Sequence, residues 1–254
     1  MPAHDRISAA IGAAVAQGRP ALVGFLTAGF PTRADFRRNL AEVASVCDVV
    51  EIGVPFSDPM ADGSTIQRAS FAALGNGVTL PWILDELAGS ERSVPLLLMS
   101  YLNPLLAFGR EQLPSAAAAA GVLGFIVPDL PFEESGDLKS ALDREGLALV
   151  QMVTPVTAAD RLVRLCAASQ GFVYAVTMTG TTGSSVTVPP EITAYLDRVR
   201  AASSVPVCAG FGIRSREQVE RLSAHVDGVV IGSALVEVLE RGESPQQWLT
   251  ALRG

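Results

Sequence analysis

The chain has 254 residues, 49% of them hydrophobic and 18% charged, with a net charge of −7. That length supports one sizeable core and lies where an α/β barrel forms a single domain, here residues 1–254; the apolar fraction offsets the entropy of ordering and excludes a disordered chain. An acidic balance without a basic block excludes the usual nucleic-acid groove, whose affinity comes from clustered Lys and Arg.

Short apolar runs of strand character recur: ALVGFL from Ala21, DVVEIGV from Asp48, VPLLLMS from Val94, LGFIVP from Leu123, LALVQMV from Leu147, GFVYAV from Gly171, VPVCAG from Val205 and GVVIG from Gly228. Continuous runs rather than alternating ones are what parallel strands buried on both faces require. Segments of helical period lie between them. Thr157 with Asp160 precedes Leu162 and Leu165, and Ser215 with Gln218 precedes Val219 and Leu222, so both read as capped amphipathic helices. Eight strands alternating with helices predict a single-domain (β/α)8 barrel, class α/β. A doubly wound sheet would carry a phosphate fingerprint in its first turn, and TAGFPT is not one.

The second strand is separated from the third by more sequence than any other pair, and the extra length begins with SDPMADG. Loops that follow barrel strands build active sites, so chemistry is expected there. Glu51 lies inside the second strand, where an unpaired carboxylate costs several kcal/mol, roughly, or shifts its pKa upward into the range of proton transfer. Position alone leaves a second reading open, in which Glu51 points out of the barrel to an arginine or a helix dipole. Asp58 and Asp62 share a loop stiffened by Pro55 and Pro59. For Asp58 the turn chemistry of aspartate suffices; Asp62, beside Gly63, serves a turn or faces a ligand.

Anion cues come late in the chain. GFGIR closes the seventh strand, and IGSALV closes the eighth and opens a short helix whose first N–H groups suit a phosphate. Gly210-Phe211-Gly212 is a weak dinucleotide fingerprint, because the third glycine is missing. TGTTG, from Thr179 to Gly183, reads as a lid or as an ordinary glycine loop. Lys139, the only lysine, falls in a charged helical stretch, which leaves no strand-borne lysine for a Schiff base. His4 and His225 are too few and too peripheral for a histidine metal triad or a serine relay. Carboxyl acid–base work on a phosphorylated substrate remains.

Cys47, Cys166 and Cys208 are odd in number, far apart and set in apolar surroundings, as reduced core thiols are, and point to a reducing cytoplasm. MPAHDRISAA lacks the basic start and apolar stretch of a signal peptide, and the longest uncharged stretches are short and broken by proline, so neither secretion nor a membrane span is expected.

FLTAGFP, EIGVPFSDPMADG, MSYLNP, VPDLPFEES, GFVYAV with TGTTG, GFGIRS and IGSALV span nearly the whole chain. In that order they resemble one family, the tryptophan synthase α subunit; EIGVPFSDPMADG is highly specific, the others only in sequence. The resemblance implies a barrel with an extra N-terminal helix and an extra short helix before the last one. It implies retro-aldol cleavage of indole-3-glycerol phosphate to indole and glyceraldehyde 3-phosphate with no metal or organic cofactor. By the same resemblance, Glu51 shuttles a proton between indole C3 and the glycerol hydroxyl, and Asp62 holds the indole N–H. Tyr174 lies beside Glu51, while Phe25, Met99, Tyr101, Asp129 and Phe211 line the pocket. Thr182 and Gly183 map to the lid, with Thr182 meeting Asp62 on closure, and Gly212, Gly232 and Ser233 hold the phosphate. A PLP-dependent β subunit is the implied partner in an α2β2 assembly, with Pro55, Asp58, Pro59 and Asn103 at the interface.

The chain departs from the family pattern at Ser64, where proline is common, and at Thr177-Met178. Three rivals remain at this level: a free-standing lyase that releases indole, a non-catalytic activator of a β subunit, and a phosphosugar isomerase.

Overall fold

The computed structural model describes residues 3–91, 93–177, 189–210 and 212–254. All eight apolar runs form strands: β1 (Ala21–Thr27), β2 (Val49–Gly53), β3 (Leu96–Met99), β4 (Val122–Ile126), β5 (Ala148–Val153), β6 (Val173–Val176), β7 (Val207–Gly210) and β8 (Gly228–Ile231). Each pairs in parallel with its sequence neighbour, and β8 returns to β1 to close the barrel.

Helix α1 (Ala3–Ala16) precedes the barrel and α2 (Phe36–Ala44) follows β1. The long interval after β2 holds α3 (Ser64–Gly75) and α4 (Leu80–Ala88), and the one after β3 holds α5 (Leu102–Phe108) and α6 (Leu113–Ala119). Helices α7 (Gly136–Arg144), α8 (Ala159–Ala168), α9 (Pro190–Ala202) and α10 (Arg216–Leu222) follow β4 to β7, and α11 (Ser233–Glu240) with α12 (Pro245–Arg253) ends the chain. The extra first helix and the short helix before the last are thus both present. The split after β3 was not foreseen. It falls at Gly109, whose φ of 111° is open mainly to glycine, just before Pro114 starts a new helix.

Strand alternation sorts the core into two parts. Val23, Val49, Leu97, Val150 and Val230 point into the barrel and meet Ile7, Ile11 and Ala14, so α1 lies across the amino end and closes it. Leu22, Leu26, Val50, Ile52 and Leu98 point outward under the helices. Ser8 anchors the plug by donating from its hydroxyl to the Gly171 carbonyl at 2.6 Å. Each fully buried isoleucine of α1 contributes about 1.5–3 kcal/mol of transfer free energy to that closure.

Of the two expected caps, one is built as read: Ser215 and Gln218 form a capping box at α10. Thr157 does not cap α8. Its hydroxyl accepts the Thr154 N–H at 2.9 Å instead, and the helix starts at Ala159 behind Ala158, with no side-chain cap. The local turn took the hydroxyl first.

Asp48, at the foot of β2, ties both ends of the chain to the barrel. Its carboxylate accepts two bonds from Arg19 at 2.7 and 2.8 Å, one from Arg253 at 3.1 Å and one from the Leu22 N–H at 2.8 Å. Asp48→Ala is expected to lower the unfolding free energy by roughly 2–3 kcal/mol, because it strands a partly buried arginine pair and an amide. Urea denaturation measures this, and a loss within error of zero removes the clamp's role.

Candidate active site

The site grows from β2. Alternation turns Glu51 inward with Val49, between Phe25 on β1 and Leu97 on β3 in register. The side chain is fully buried, and among the described residues neither carboxyl oxygen has a hydrogen-bond partner. The outward reading, with an arginine as partner, therefore falls. Burial alone pushes the Glu51 carboxyl up to about 8.

Past β2 the chain turns through buried Pro55 and exposed Asp58 into the loop that carries Asp62. This loop is pinned from two sides. The Tyr101 hydroxyl accepts the Ala61 N–H at 2.8 Å and donates to Asp62 Oδ2 at 3.2 Å, while Gln67 Nε2 donates to the Asp62 carbonyl at 2.9 Å. Asp62 Oδ1 is left without a partner among the described residues. Burial raises the Asp62 pKa, and the Tyr101 hydrogen bond works against that rise. The phenol itself is pushed up to about 12, chiefly by burial, so it stays a donor at neutral pH.

Asp62 and Tyr101 line one cavity with Phe25, Val54, Ile66, Ser70, Met99, Ser100 and Pro128. Ile66 and Ser70 escaped the sequence reading, yet a signal was there: each is four residues past the one before, from Asp62, so both fall on one face of α3. Gly53 is required at this cavity, since a Cβ on it would come within 2.4 Å of the Phe25 ring. Tyr174 packs against the inner core that holds Val49 and Leu97. Its phenol pKa is raised well above the ordinary value, first by burial and then by the charges of Glu51, Cys208 and Asp62. Gly210 gives it room, because a Cβ there would meet the Tyr174 hydroxyl at 2.6 Å.

Of the expected anion residues, Gly232 lies beside this cavity. Gly212, with φ at +47°, follows β7, and Gly232 and Ser233 open α11, whose first N–H groups have no intrahelical partner. A Cβ on Gly232 would sit 3.7 Å from Ile66 and 3.9 Å from Phe25, so α11 starts at the cavity wall. Asp129 is placed differently from the other lining residues. Its Oδ1 accepts the Leu102 N–H at 2.8 Å at the start of α5, and it borders a neighbouring cavity of about 300 Å³ with Gln151 and Arg161. Pro59 is half-buried and Asn103 exposed near the same mouth, whereas Pro55 is covered. Thr182, Gly183, Phe211 and Met178 lie outside the described residues. Ser64 fits its place: it is the first residue of α3, a position that proline also favours. Thr177 ties β6 to β7 by donating from its hydroxyl to the Gly210 carbonyl at 2.8 Å.

A closed parallel barrel with two carboxyl groups at the carboxyl ends of its strands is the framework of the (β/α)8-barrel enzymes. Comparison narrows the class. The family model described as tryptophan synthase alpha chain matches residues 11–253. Among similar proteins, the tryptophan synthase alpha chain of Desulfovibrio desulfuricans is 48% identical over 244 residues, 94% of this chain and 96% of that one. That of Solidesulfovibrio magneticus is 46% identical, covering 95% of each. Among solved structures, a chain of tryptophan synthase from Mycobacterium tuberculosis superposes with a TM-score of 0.89 at 34% identity over 98% of both chains. The alpha subunit from Legionella pneumophila gives 0.88 at 29%, over 100% of this chain and 97% of that one. The chain belongs to the tryptophan synthase alpha chain family and is a carbon–carbon lyase of tryptophan biosynthesis.

Proposed function

We propose that Glu51 and Asp62 carry the cleavage of indole-3-glycerol phosphate to indole and glyceraldehyde 3-phosphate in this chain. The observation that carries the reading is a fully buried glutamate, without a hydrogen-bond partner among the described residues and with a carboxyl held neutral at pH 7, next to a cavity that contains a second acid. A neutral Glu51 can give its proton to indole C3, which leaves a positively charged indolenine. The resulting carboxylate takes the proton of the glycerol hydroxyl as the carbon–carbon bond breaks and the aldehyde forms. Glu51 ends as it began, so one residue serves as acid and then as base.

Asp62 Oδ1 accepts the indole N–H and stabilises the positive ring, with Tyr101 and Gln67 fixing its approach. Phe25, Ile66 and Met99 supply the apolar wall for the ring. Tyr174 packs beside Glu51 and helps exclude water. Gly212, Gly232 and Ser233 hold the phosphate through main-chain amides.

The reaction as written needs no cofactor on this chain. PLP belongs to a β subunit, which docks over Asp58, Pro59 and Asn103 in an α2β2 assembly. Three buried free thiols favour a cytoplasmic setting, and no helix among the described residues is long and apolar enough to cross a membrane. The test is indole release from purified protein supplied with indole-3-glycerol phosphate, with and without a β subunit. Slow release alone and faster release with the partner are expected; folded protein that yields no indole in either arm overturns the reading.

A further inference from the structure

The carboxyl end of the site and its anion end stand on different segments, and something must hold them in register. Asp62 belongs to the loop after β2, and Gly212 and Gly232 to the loops after β7 and β8. Among the described residues, one side chain touches all three segments. Glu237, on α11 one turn beyond Ser233, accepts a fork from Arg214 at 2.5 and 2.8 Å, and its Oε1 also accepts the Thr65 hydroxyl at 3.3 Å. Thr65 is three residues beyond Asp62, and Arg214 two beyond Gly212. The anchor points are themselves rigid. The Arg214 N–H donates to Gln218 Oε1 at 2.7 Å within the α10 capping box, and Thr65 lies in the first turn of α3. One turn further along both helices, Arg68 donates to Glu240 at 3.1 Å, so α3 and α11 are tied twice.

We infer that Glu237 is a positioning residue that fixes the distance between the acid loop and the phosphate amides, and so favours a substrate that spans both. The inference rests on the reaction proposed above. A ligand that touches both ends gains from fixed spacing, since its binding then needs no ordering of one segment against the other. A ligand that touches only the amides gains nothing from it. The same carboxylate occupies the Arg214 guanidinium, which leaves main-chain N–H groups rather than a side-chain cation to receive the anion. An exposed ion pair adds little to stability, so the contribution of Glu237 is geometric.

The experiment compares native protein with E237Q and T65V. Steady-state KM and kcat for indole-3-glycerol phosphate are measured, together with the Kd of inorganic phosphate by calorimetry. Each variant is expected to raise KM by roughly 3- to 30-fold, to change the phosphate Kd by less than about twofold, and to melt like the native protein. The double variant should be no worse than E237Q alone, because the two changes cut one link. E243Q, which breaks the exposed Arg241–Glu243 pair beyond α11, should match the native protein in every measurement. An unchanged KM in E237Q overturns the inference. So does a phosphate Kd that weakens in step with KM, which would make Glu237 a support for the phosphate loop alone. If E237Q fails to fold, T65V, which removes one hydroxyl, carries the same test. Native protein that releases no indole defeats the proposed reaction, whereas native turnover with normal kinetics in both variants defeats only this inference.

Discussion

Glu51→Gln is expected to lower kcat for indole-3-glycerol phosphate by ~10²–10⁴-fold while making the folded protein more stable at alkaline pH. Both effects have one cause. The carboxyl sits in a closed apolar interior with no partner among the described residues, so its neutral form is favoured until the pH passes about 8. For an acid whose folded-state pKa is raised, the stabilising contribution is complete below the ordinary glutamate pKa. It is lost as the pH rises through about 8. The native protein should thus lose roughly 3–6 kcal/mol between pH 4 and pH 9 from this group alone, and E51Q should lose none of it.

Denaturant melts of both proteins across that window measure the difference. Equal slopes against pH would mean that Glu51 is solvated or paired in solution. The same proton affinity predicts that kcat/KM falls above about pH 8, as the acid needed for the first transfer disappears. Retained turnover in E51Q would remove the proton shuttle altogether.

Asp62→Asn should reduce kcat by ~10²–10³-fold with little change in stability. The variant keeps the size of the side chain and an oxygen able to accept the indole N–H, so what it removes is charge. In the proposed reaction charge matters where the indolenine turns positive, inside a cavity walled by Phe25, Ile66 and Met99 that water screens poorly. Among the described residues Tyr101 occupies only Oδ2, which in the proposed reaction leaves Oδ1 for the substrate. A kcat within about threefold of native, against the loss expected for an electrostatic contact, would show that Asp62 serves the loop rather than the reaction.

Much of this was legible from local pattern. The eight strands were readable because a strand buried on both faces must be apolar throughout, and a glutamate inside such a run is conspicuous. The capping box at Ser215 was readable because its two partners are three residues apart. Local pattern failed where a nearer competitor existed, as at Thr157, whose hydroxyl went to Thr154. It also failed where partners meet only through the closure of the barrel. Asp129 capping α5, Ser70 in the cavity wall and Glu237 bridging α3 to Arg214 join residues that no sequence window contains.

Chain chemistry alone thus determines that a carboxyl group stands in an apolar strand and a second one in a stiff loop after it, because side-chain identity and spacing are local properties. Whether the first faces the interior, how high its proton affinity rises, and which groups surround the second were settled by barrel closure. Burial and the field at a site are sums over neighbours drawn from all eight strands, and only the folded chain brings those neighbours within range of one another.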